Sequence, residues 1–427
     1  MTNYRGISLM STMAKLFNRV LLNRIRPAVD RVLRPNQAGF RPGRSTISQI
    51  HALRRLLEAA DEYRLNLIVS FADFKKAFDS INRQVMFAIL RYYGIPAKVV
   101  SAIASLYAQS KGSVLVNGKL SKTFDITTGV LQGDVLAPFL FVIVIDFVMS
   151  RSDQNFGFTF QQQTGSRSRG TPAQVINDLD FADDVALLEN SIHQANEQLC
   201  TLSLEAGYVG LDINKAKTEY MTINQRADEA ETKLMLYGVE LVKVENFKYL
   251  GANMKSSGYD LSCRKGIAWS AFWSLKSFWS SKQLLMRLKI NIYKTAVLSI
   301  LLYGCETWTM IKHIEQEIDA FGTNCMQILL GIKCIDKVPN ASIYEQTEMR
   351  PITCILRERQ LRYLGHVLQL DENETARKFA LYAPTFGQRK RGRPKLSYAR
   401  YIAIIVSDDP ESCTIEAITS LAKNRVQ

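Results

Sequence analysis

The sequence has few of the residues that build disulfide frameworks and zinc sites. Its 427 residues include seven cysteines and four histidines, and no two cysteines stand in a Cys-x-x-Cys arrangement. An odd number of cysteines without that spacing indicates reduced thiols in an intracellular protein. Cys325, Cys334, Cys354 and His366 lie near one another in sequence, but their spacings match no zinc pattern, so no structural zinc site is expected.

Long hydrophobic runs are also absent. The longest one, Ala137 to Ile145, is broken by Asp146 and is much shorter than the roughly 20 residues that a membrane-spanning helix needs. The N-terminus resembles neither a signal peptide nor a transit peptide. The sequence therefore predicts neither a membrane span nor secretion.

Negative charge is scarce in the first part of the chain. The formal net charge is +14, and residues 1–60 hold eleven lysine or arginine residues against only Asp30 and Glu58. A basic face of this kind attracts the phosphate backbone of nucleic acids, although a basic protein can also be merely cationic. Apolar residues make up 47% of the chain, which indicates a folded protein with two or three subdomains.

Three aspartates stand at the ends of predicted strands. Asp73 follows the apolar run Leu67–Phe71, and the pair Asp183-Asp184 lies at the tip of a predicted hairpin that continues into Val185–Leu188. An Asp-Asp pair alone is typical of a turn. Here the flanking strands place both groups on rigid elements, and carboxylates on two adjacent strands can hold two Mg²⁺ ions about 4 Å apart. The pattern predicts a metal-dependent nucleotidyl-transfer site.

Other motifs surround these aspartates in a fixed order between residues 3 and 251. They are Asn3–Ser8, Asn36–Ser45, Asp73–Asp79, Gly129–Asp134, Phe181–Asp184, Gly210–Glu219 and Tyr249–Gly251. Each motif alone is weak evidence for a family. Taken together, the seven motifs resemble those of the reverse transcriptase of a non-LTR (LINE-type) retrotransposon, lacking the N-terminal endonuclease. Gly6 stands where the family usually has proline, and Gly133 is followed by Asp134 in place of the more common cysteine.

The resemblance implies an α+β right-hand polymerase. We expect truncated fingers over residues 1–62, a palm of antiparallel sheet with helices over 63–255, a helical thumb over 256–335 and a basic C-terminal extension over 336–427. Periodicity predicts helices over Ser11–Asp30, Ile47–Tyr63, Asp79–Leu90, Pro96–Ser110 and Asp134–Ser150. Asn117-Gly118 predicts a hairpin whose second strand runs to Thr127, and Ser191 with Gln194 predicts a capping box.

Beyond Gly258 the residue pattern predicts helices. It includes an aromatic cluster formed by Trp269, Phe272, Trp273, Phe278 and Trp279. An aromatic stripe at helical spacing is more often core than a surface on which bases stack. We therefore expect these rings to form the core of the thumb.

By the resemblance, Asp73 and Asp183 bind two Mg²⁺ or Mn²⁺ ions, with Asp184 as a weaker ligand or a structural partner. Phe78 matches the aromatic steric gate that leaves no space for a 2′-hydroxyl, although it could also be a core residue that begins a helix. Gln132 and Gly133 match the positions that lie against the incoming base and the template.

Four further positions carry roles in the family. Arg5 matches a fingers arginine that contacts the triphosphate, and the lysine that usually accompanies it would lie upstream of Met1. Lys217 matches the general acid that protonates pyrophosphate, with Lys215 as the alternative. Leu250 and Gly251 match the primer grip, which acts through backbone groups.

Basic residues outside the catalytic motifs predict nucleic-acid contacts. Arg41 and Arg44 belong to the second fingers motif, and Arg391 and Arg393 lie in the segment Gln388–Lys395 (QRKRGRPK). Its Arg-Gly-Arg-Pro core resembles the AT-hook, which lays arginines into a narrow A·T minor groove. Non-specific contact with DNA or RNA and a solvated linker are the alternatives.

The function that the resemblance implies is an RNA-directed DNA polymerase. It would extend a DNA primer on an RNA template with dNTPs, at a nick made in trans by an endonuclease, and we expect it in the nucleus or the cytoplasm. The alternative is a truncated retroelement remnant that binds nucleic acid without polymerising. An RNA-dependent RNA polymerase is less compatible with Phe78, because such enzymes must admit the 2′-hydroxyl.

Overall fold

The structure, a computed structural model, describes residues 7–108, 110–152, 156–163, 173–229, 231–407, 409 and 413–423. Its contacts divide the chain into two units. The first contains Met1–Gln49, Tyr63–Glu245 and Pro384–Gln388, and the second contains Ile50–Glu62, Asn246–Ala383 and Arg389–Gln427. Both helices and sheets are present, which confirms the predicted α+β class. The finer division into fingers, palm, thumb and extension stays a prediction.

The first unit contains the large sheet and the helices that cover it. In chain order its elements are α1 (Thr12–Val29), the start of α2 (Thr46–Glu62), β1 (Leu67–Ala72), α3 (Ala77–Ser80), α4 (Arg83–Tyr92), α5 (Ala97–Ala108), β2 (Lys111–Gly112), β3 (Leu115–Val116), β4 (Lys119–Leu120), β5 (Phe124–Asp125), α6 (Ala137–Ser152), β6 (Phe158–Gln161), β7 (Gln174–Ile176), β8 (Asp178–Phe181), β9 (Asp184–Glu189), α7 (Ile192–Tyr208), β10 (Glu219–Ile223), a 3₁₀ turn (Ala227–Glu229), β11 (Met235–Leu236), β12 (Val239–Glu240) and β13 (Val242–Lys243).

Helix ends follow local capping signals. Ser11 caps α1 and Ser191 caps α7, where the Ser191 hydroxyl accepts a hydrogen bond from the Gln194 amide at 3.3 Å, as predicted. The single helix predicted over Asp79–Leu90 is wrong. It is divided into α3 and α4, because the Asn82 side chain accepts hydrogen bonds from the amides of Gln84 and Val85 and so begins a new helix.

Two other predicted boundaries differ from the structure. Helix α6 begins at Ala137 instead of Asp134, because the Asp134 carboxylate accepts hydrogen bonds from the Leu136 amide and from Asn18 outside the helix. The hairpin at Asn117-Gly118 is present, and both turn residues have positive φ. Its second strand ends at Leu120 and does not reach Thr127, since β5 pairs separately with β2.

The sheet of the first unit has five strands in the order β13-β10-β1-β9-β8. Strand β1 lies at its centre, every residue of β1 is buried, and both neighbours run antiparallel to it. Helix α7 packs on β1 and β9, and α6 packs on α7 and α4. Nearly all of α6 is buried, which explains why it is apolar on every face. The strand pairs are antiparallel except for β10 and β13, which are parallel, so the sheet differs in that one pair from the antiparallel sheet predicted for the palm.

A buried glutamate gives the first unit a pH-dependent stability. Glu189 ends β9, and its carboxylate accepts a hydrogen bond from the Gly157 amide at 2.6 Å. Burial raises the pKa of Glu189 to about 7 from an ordinary value of 4.5. Because the folded pKa exceeds the unfolded one, the stability that protonated Glu189 provides is complete below pH 4.5 and declines until pH 7.

We expect Glu189→Gln to remove this decline, because glutamine keeps a hydrogen-bond acceptor and carries no charge. The variant should be more stable than the parent at pH 8 by about 3 kcal/mol and nearly equal to it at pH 4. Urea unfolding across this pH range checks the difference. Glu231→Gln, at an exposed position, is the control. Parallel pH profiles for the parent and Glu189→Gln would contradict the prediction.

The second unit is mostly helical. It contains the rest of α2, then β14 (Lys248–Tyr249), β15 (Ala252–Asn253), α8 (Ser257–Ser274), α9 (Lys276–Ser280), α10 (Met286–Ile292), a π-helical segment (Tyr293–Leu298), α11 (Ser299–Leu301), a 3₁₀ turn (Cys305–Thr307), α12 (Lys312–Leu330), a second 3₁₀ turn (Cys334–Asp336), α13 (Asn340–Thr347), α14 (Ile352–Leu368), α15 (Thr375–Phe379), α16 (Tyr398–Val406) and α17 (Ile415–Lys423). Within the described ranges, no helix is both long and apolar enough to cross a membrane.

Aromatic side chains form part of the core of the second unit. Phe272 and Trp279 are buried and stacked, with ring centroids 5.1 Å apart, as predicted. The prediction is wrong for Trp273 and Phe278, which are 49% and 43% exposed. The spacing of α8 and α9 allows only part of the aromatic stripe to face inward.

Candidate active site

Three carboxylates lie at one end of two adjacent strands of the first unit. Ala72 at the end of β1 pairs with Val185 of β9, so the next position in this register sets Asp73 opposite Asp184. Asp183 precedes Asp184 in the turn between β8 and β9. Asp73 and Asp183 are half-buried, and Asp184 is exposed. The strand register thus places the three predicted aspartates at the same end of β1 and β9.

The turn that carries Asp183 is held by a loop from the second motif. Ala182 has a φ of +57°, and its amide donates a hydrogen bond to Gln37 Oε1 at 2.9 Å. The Gly39 amide donates to the same oxygen at 2.7 Å. A Cβ atom on Gly39 would lie 2.3 Å from the nitrogen of Ala182, so only glycine permits this approach. The position of the turn therefore depends on Gln37 and Gly39, for which the sequence predicted no role of their own.

The loop before β10 orients Asp73 from the other side. The side-chain amide of Asn214 donates a hydrogen bond to Asp73 Oδ2 at 3.3 Å, and the Asn214 backbone amide donates to the Asp73 carbonyl at 2.7 Å. The Asp73 amide donates to the buried Thr218 hydroxyl at 3.3 Å. The motif Gly210–Glu219 therefore fixes the strand end that carries the first carboxylate.

Phe78 follows β1 and is half-buried. Its ring stacks on Phe141 of α6 with ring centroids 4.5 Å apart and an interplanar angle of 11°, and the centroid of the nearly perpendicular Phe40 ring lies 6.5 Å away. These contacts hold the ring in one orientation. Both predicted roles, a steric gate and a core side chain, are compatible with a ring that is packed on one side and partly accessible on the other.

Gly133 occupies a position that requires glycine. Its φ is +116°, and a Cβ atom there would lie 2.4 Å from the Ser8 carbonyl oxygen. The Ser8 amide donates a hydrogen bond to the Gln132 carbonyl at 2.7 Å. The side chain of Gln132 is half-buried. The motif Gly129–Asp134 is therefore held next to Ser8, the last residue of the first motif.

The two candidate lysines differ in their surroundings. Lys217 is exposed, whereas the Lys215 ammonium lies 5.1 Å from the centre of the Tyr237 ring in a cation–π contact. The neighbouring Asp212 forms an exposed ion pair with Lys75 at 2.7 Å. The assignment of Lys217 as the general acid, with Lys215 as the alternative, stays a prediction.

The predicted nucleic-acid arginines fall into different environments. Arg41 is buried, and its three guanidinium nitrogens donate hydrogen bonds to Asp30 and to the carbonyls of Arg34 and Gln37. Four of its five N–H donors are used in these contacts, so in this conformation Arg41 holds the loop. Arg44 is half-buried and donates to the Pro35 carbonyl. Arg5 lies outside the described residues.

A buried ion network that the sequence did not predict supports the catalytic turn. Arg34 contacts Asp178 and Asp180 of β8, each at 2.7 Å, and Asp146 of α6 at 3.4 Å. Burial and the charge of Asp178 raise the pKa of Asp180 well above its usual value. Burial acts in the same direction on Asp178, but Arg34 and hydrogen bonds outweigh it and lower the pKa of Asp178.

The predicted primer grip is a hairpin turn in the second unit. Leu250 and Gly251 connect β14 and β15, with φ values of +46° and +84°. The Leu250 carbonyl accepts a hydrogen bond from the Tyr303 hydroxyl at 2.8 Å, and the Gly251 carbonyl accepts one from Arg264. The turn is therefore held through its backbone.

The donor chemistry at the strand ends fits Mg²⁺. Asp73, Asp183 and Asp184 supply only carboxylate oxygens, the ligand type that Mg²⁺ prefers. Among the described residues, no three acidic, histidine or cysteine side chains are grouped closely enough to enclose a metal ion. Since Mg²⁺ is usually bound through one or two carboxylates, with water and phosphate in the other positions, an open group of this kind suits it.

Comparisons with known proteins agree with this geometry. Residues 1–254 match the family model described as reverse transcriptase (RNA-dependent DNA polymerase). The chain is 27% identical over 257 residues to the Pol polyprotein of retrotransposable element R2 from Popillia japonica, covering 58% of this chain and 40% of that protein. It is 27% identical over 320 residues to the probable RNA-directed DNA polymerase from transposon BS of Drosophila melanogaster, covering 72% and 34%.

The chain thus spans well under half the length of these two relatives. Among solved structures, apo telomerase from Candida tropicalis matches with a TM-score of 0.38 and 13% identity, covering 96% of this chain and 60% of that one.

Proposed function

The chain belongs to the reverse transcriptase (RNA-dependent DNA polymerase) family, and we propose that it is an RNA-directed DNA polymerase of a non-LTR retrotransposon. It would extend the 3′-hydroxyl of a DNA primer on an RNA template with dNTPs. The observation that carries the proposal is that the strand register places Asp73, Asp183 and Asp184 at the same end of β1 and β9. The register between two rigid strands fixes this arrangement.

The predicted site residues would have separate roles in this reaction. Asp73 and Asp183 would hold two Mg²⁺ or Mn²⁺ ions, with Asp184 beside them. Such ions, when bound, lower the pKa of the primer hydroxyl and neutralise charge on the pyrophosphate. Lys217 donates a proton to the leaving group, and Gln132 contacts the incoming base or the template.

The proposed partners follow from the reaction. An RNA template and a DNA primer would lie across the sheet end, and an endonuclease would supply the nick whose 3′-hydroxyl is extended. Since that primer is chromosomal, the protein would act in the nucleus. The surplus of positive charge in residues 1–60 favours binding of the phosphate backbone.

Primer extension tests the proposal. The purified full chain is incubated with an RNA template, an annealed DNA primer, dNTPs and Mg²⁺, beside the Asp183→Ala variant. Extension by the parent that is lost in the variant supports a working polymerase. Absence of extension by either protein, with salt-sensitive binding to the hybrid retained, would show a nucleic-acid-binding remnant instead.

Selection of the sugar is a separate prediction. Phe78→Val should increase the use of rNTPs relative to dNTPs by about 10- to 100-fold, because removal of the ring opens space for a 2′-hydroxyl. The ratio of kcat/KM for rNTP and dNTP measures this selectivity. Phe124→Val, an equivalent truncation at an exposed strand position, is the control and should leave the ratio unchanged. An unchanged ratio in Phe78→Val would show that Phe78 is only a packing residue.

A further inference from the structure

A basic segment in the second unit is fastened to the acidic end of α2. The segment spans residues 389–395 and holds the basic residues Arg389, Lys390, Arg391, Arg393 and Lys395. Helix α2 ends with Asp61 and Glu62. Three of the five basic side chains pair with these two acids, and the other two do not.

Both ends of the segment are held by specific contacts. At its start, Arg389 Nε donates to Glu62 Oε1 at 2.7 Å, and Lys390 contacts Asp61 Oδ1. The Lys390 backbone amide also donates to the Glu62 carbonyl at 2.9 Å. At its end, Lys395 Nζ donates to Asp61 Oδ2 at 3.0 Å. We call this group of contacts the acidic clamp.

The electrostatics of Asp61 agree with this arrangement. Burial alone would raise its pKa, but hydrogen bonds from Lys390 and Lys395 outweigh that effect and lower the pKa. Asp61 is therefore ionised at neutral pH and holds both lysines.

The middle of the segment projects Arg391 and Arg393 into solvent. Both side chains are exposed, and neither forms an ion pair or a hydrogen bond with another residue in the described part of the chain. Gly392 between them has a φ of +106° and no atom within 4 Å of a built Cβ, so it forms an open bend. Pro394 fixes φ on the following side.

We propose that Arg391 and Arg393 bind the narrow minor groove of A·T-rich duplex DNA, presented by the acidic clamp. A narrow A·T minor groove has an enhanced negative potential that attracts inserted arginines. The clamp neutralises the flanking cations, so the free charge is concentrated on two guanidinium groups. It also orders the segment before binding, which lowers the entropy cost of association.

The same features favour DNA over double-stranded RNA. The A-form duplex of RNA has a wide, shallow minor groove, which does not concentrate potential on inserted arginines. This DNA site is separate from the residues assigned to nucleotide transfer. It needs no polymerase activity, and it adds a sequence preference that phosphate contacts alone do not supply.

Competition binding with the full chain tests the proposal. Fluorescence anisotropy compares three duplexes of equal length: A·T-rich DNA, G·C-rich DNA and double-stranded RNA. Other basic surfaces contribute similarly to both DNA duplexes, so the A·T to G·C affinity ratio isolates groove binding. We expect the double variant Arg391→Lys/Arg393→Lys, which keeps the charge, to reduce this ratio by about tenfold.

Matched variants distinguish recognition of the groove shape from attraction by positive charge alone. Arg350→Lys/Arg362→Lys changes two exposed arginines that pair with Glu358 and should leave the ratio unchanged. Asp61→Asn/Glu62→Gln releases the flanking cations, so non-specific binding should rise. The slope of the logarithm of the binding constant against the logarithm of the salt concentration should become more negative by about two to three. At the same time the A·T preference should fall. Equal affinity of the parent for A·T and G·C DNA, or an unchanged ratio in Arg391→Lys/Arg393→Lys, would overturn the proposal.

Discussion

Replacing Asp183 with alanine should lower the rate of primer extension by at least about 1000-fold while leaving the protein folded. Asp183 is one of two half-buried carboxylates at the strand ends, and its turn is held through the Ala182 amide, which alanine at position 183 does not disturb. The variant loses a metal ligand, and with it the charge stabilisation that dominates phosphoryl transfer. Single-turnover incorporation of one dNTP measures the loss directly.

The adjacent carboxylate provides the matched comparison. Asp184 is exposed and begins β9, so Asp184→Asn should reduce the rate less than Asp183→Ala. Circular dichroism and the midpoint of thermal unfolding check that both variants are folded. If Asp183→Ala retained a rate within tenfold of the parent, the assignment of Asp183 as a metal ligand would be wrong.

Replacing Arg34 with methionine should destabilise the first unit by about 3–5 kcal/mol at neutral pH. Arg34 is the cation shared by Asp146, Asp178 and Asp180, and all three carboxyl groups are buried. Methionine fills much of the volume but leaves these acids without a counter-charge. Urea unfolding midpoints for the parent and the variant measure the cost.

The pH dependence should distinguish this loss from a simple packing defect. In the parent, the lowered pKa of Asp178 gives stability that is present above its ordinary pKa and is lost as the pH falls through the folded value. Without Arg34, burial raises the pKa of Asp178 instead, so acid stabilises the variant. The difference between Arg34→Met and the parent should therefore shrink from pH 8 to pH 5.

Two further variants complete the comparison. Arg151→Met removes an exposed arginine that pairs with Glu205, and we expect little effect from it. Asp178→Asn in the Arg34→Met background should restore part of the lost stability, because it removes one unpaired buried charge. A destabilisation by Arg34→Met that is independent of pH would show that packing, not charge, is the main contribution of Arg34.

Local signals explain what could be predicted from the sequence. The buried strand before Asp73, the hairpin around Asp183, the helix that starts near Ser11 and the cap at Ser191 depend on residues a few positions apart. The structure confirms each of them, because a strand end or a cap is determined by its immediate neighbours. The break between α3 and α4 also had a local signal, the capping residue Asn82, but the apolar period across it favoured one helix.

The features that were not predicted from the sequence depend on contacts between segments that are distant along the chain. Arg34 meets Asp178 across 144 positions, and no period or spacing encodes that pairing. Arg41 was expected to contact nucleic acid because it is a basic residue of the second fingers motif. It is buried because carbonyl oxygens of its own loop converge on its guanidinium group. Likewise, the close approach of Gly39 to Ala182 brings together two motifs that the sequence shows only separately.

The close contact between Gly39 and Ala182 links the loop of the second motif to the turn that carries Asp183. Gln37 Oε1 accepts hydrogen bonds from the amides of both Gly39 and Ala182. The conformation of this loop therefore determines the position of the turn that carries Asp183. A misplacement of about 1 Å at a reacting centre can cost about 100-fold in rate. In the proposed polymerase, substitutions in this loop should therefore change the rate of synthesis without altering any residue assigned to nucleotide binding.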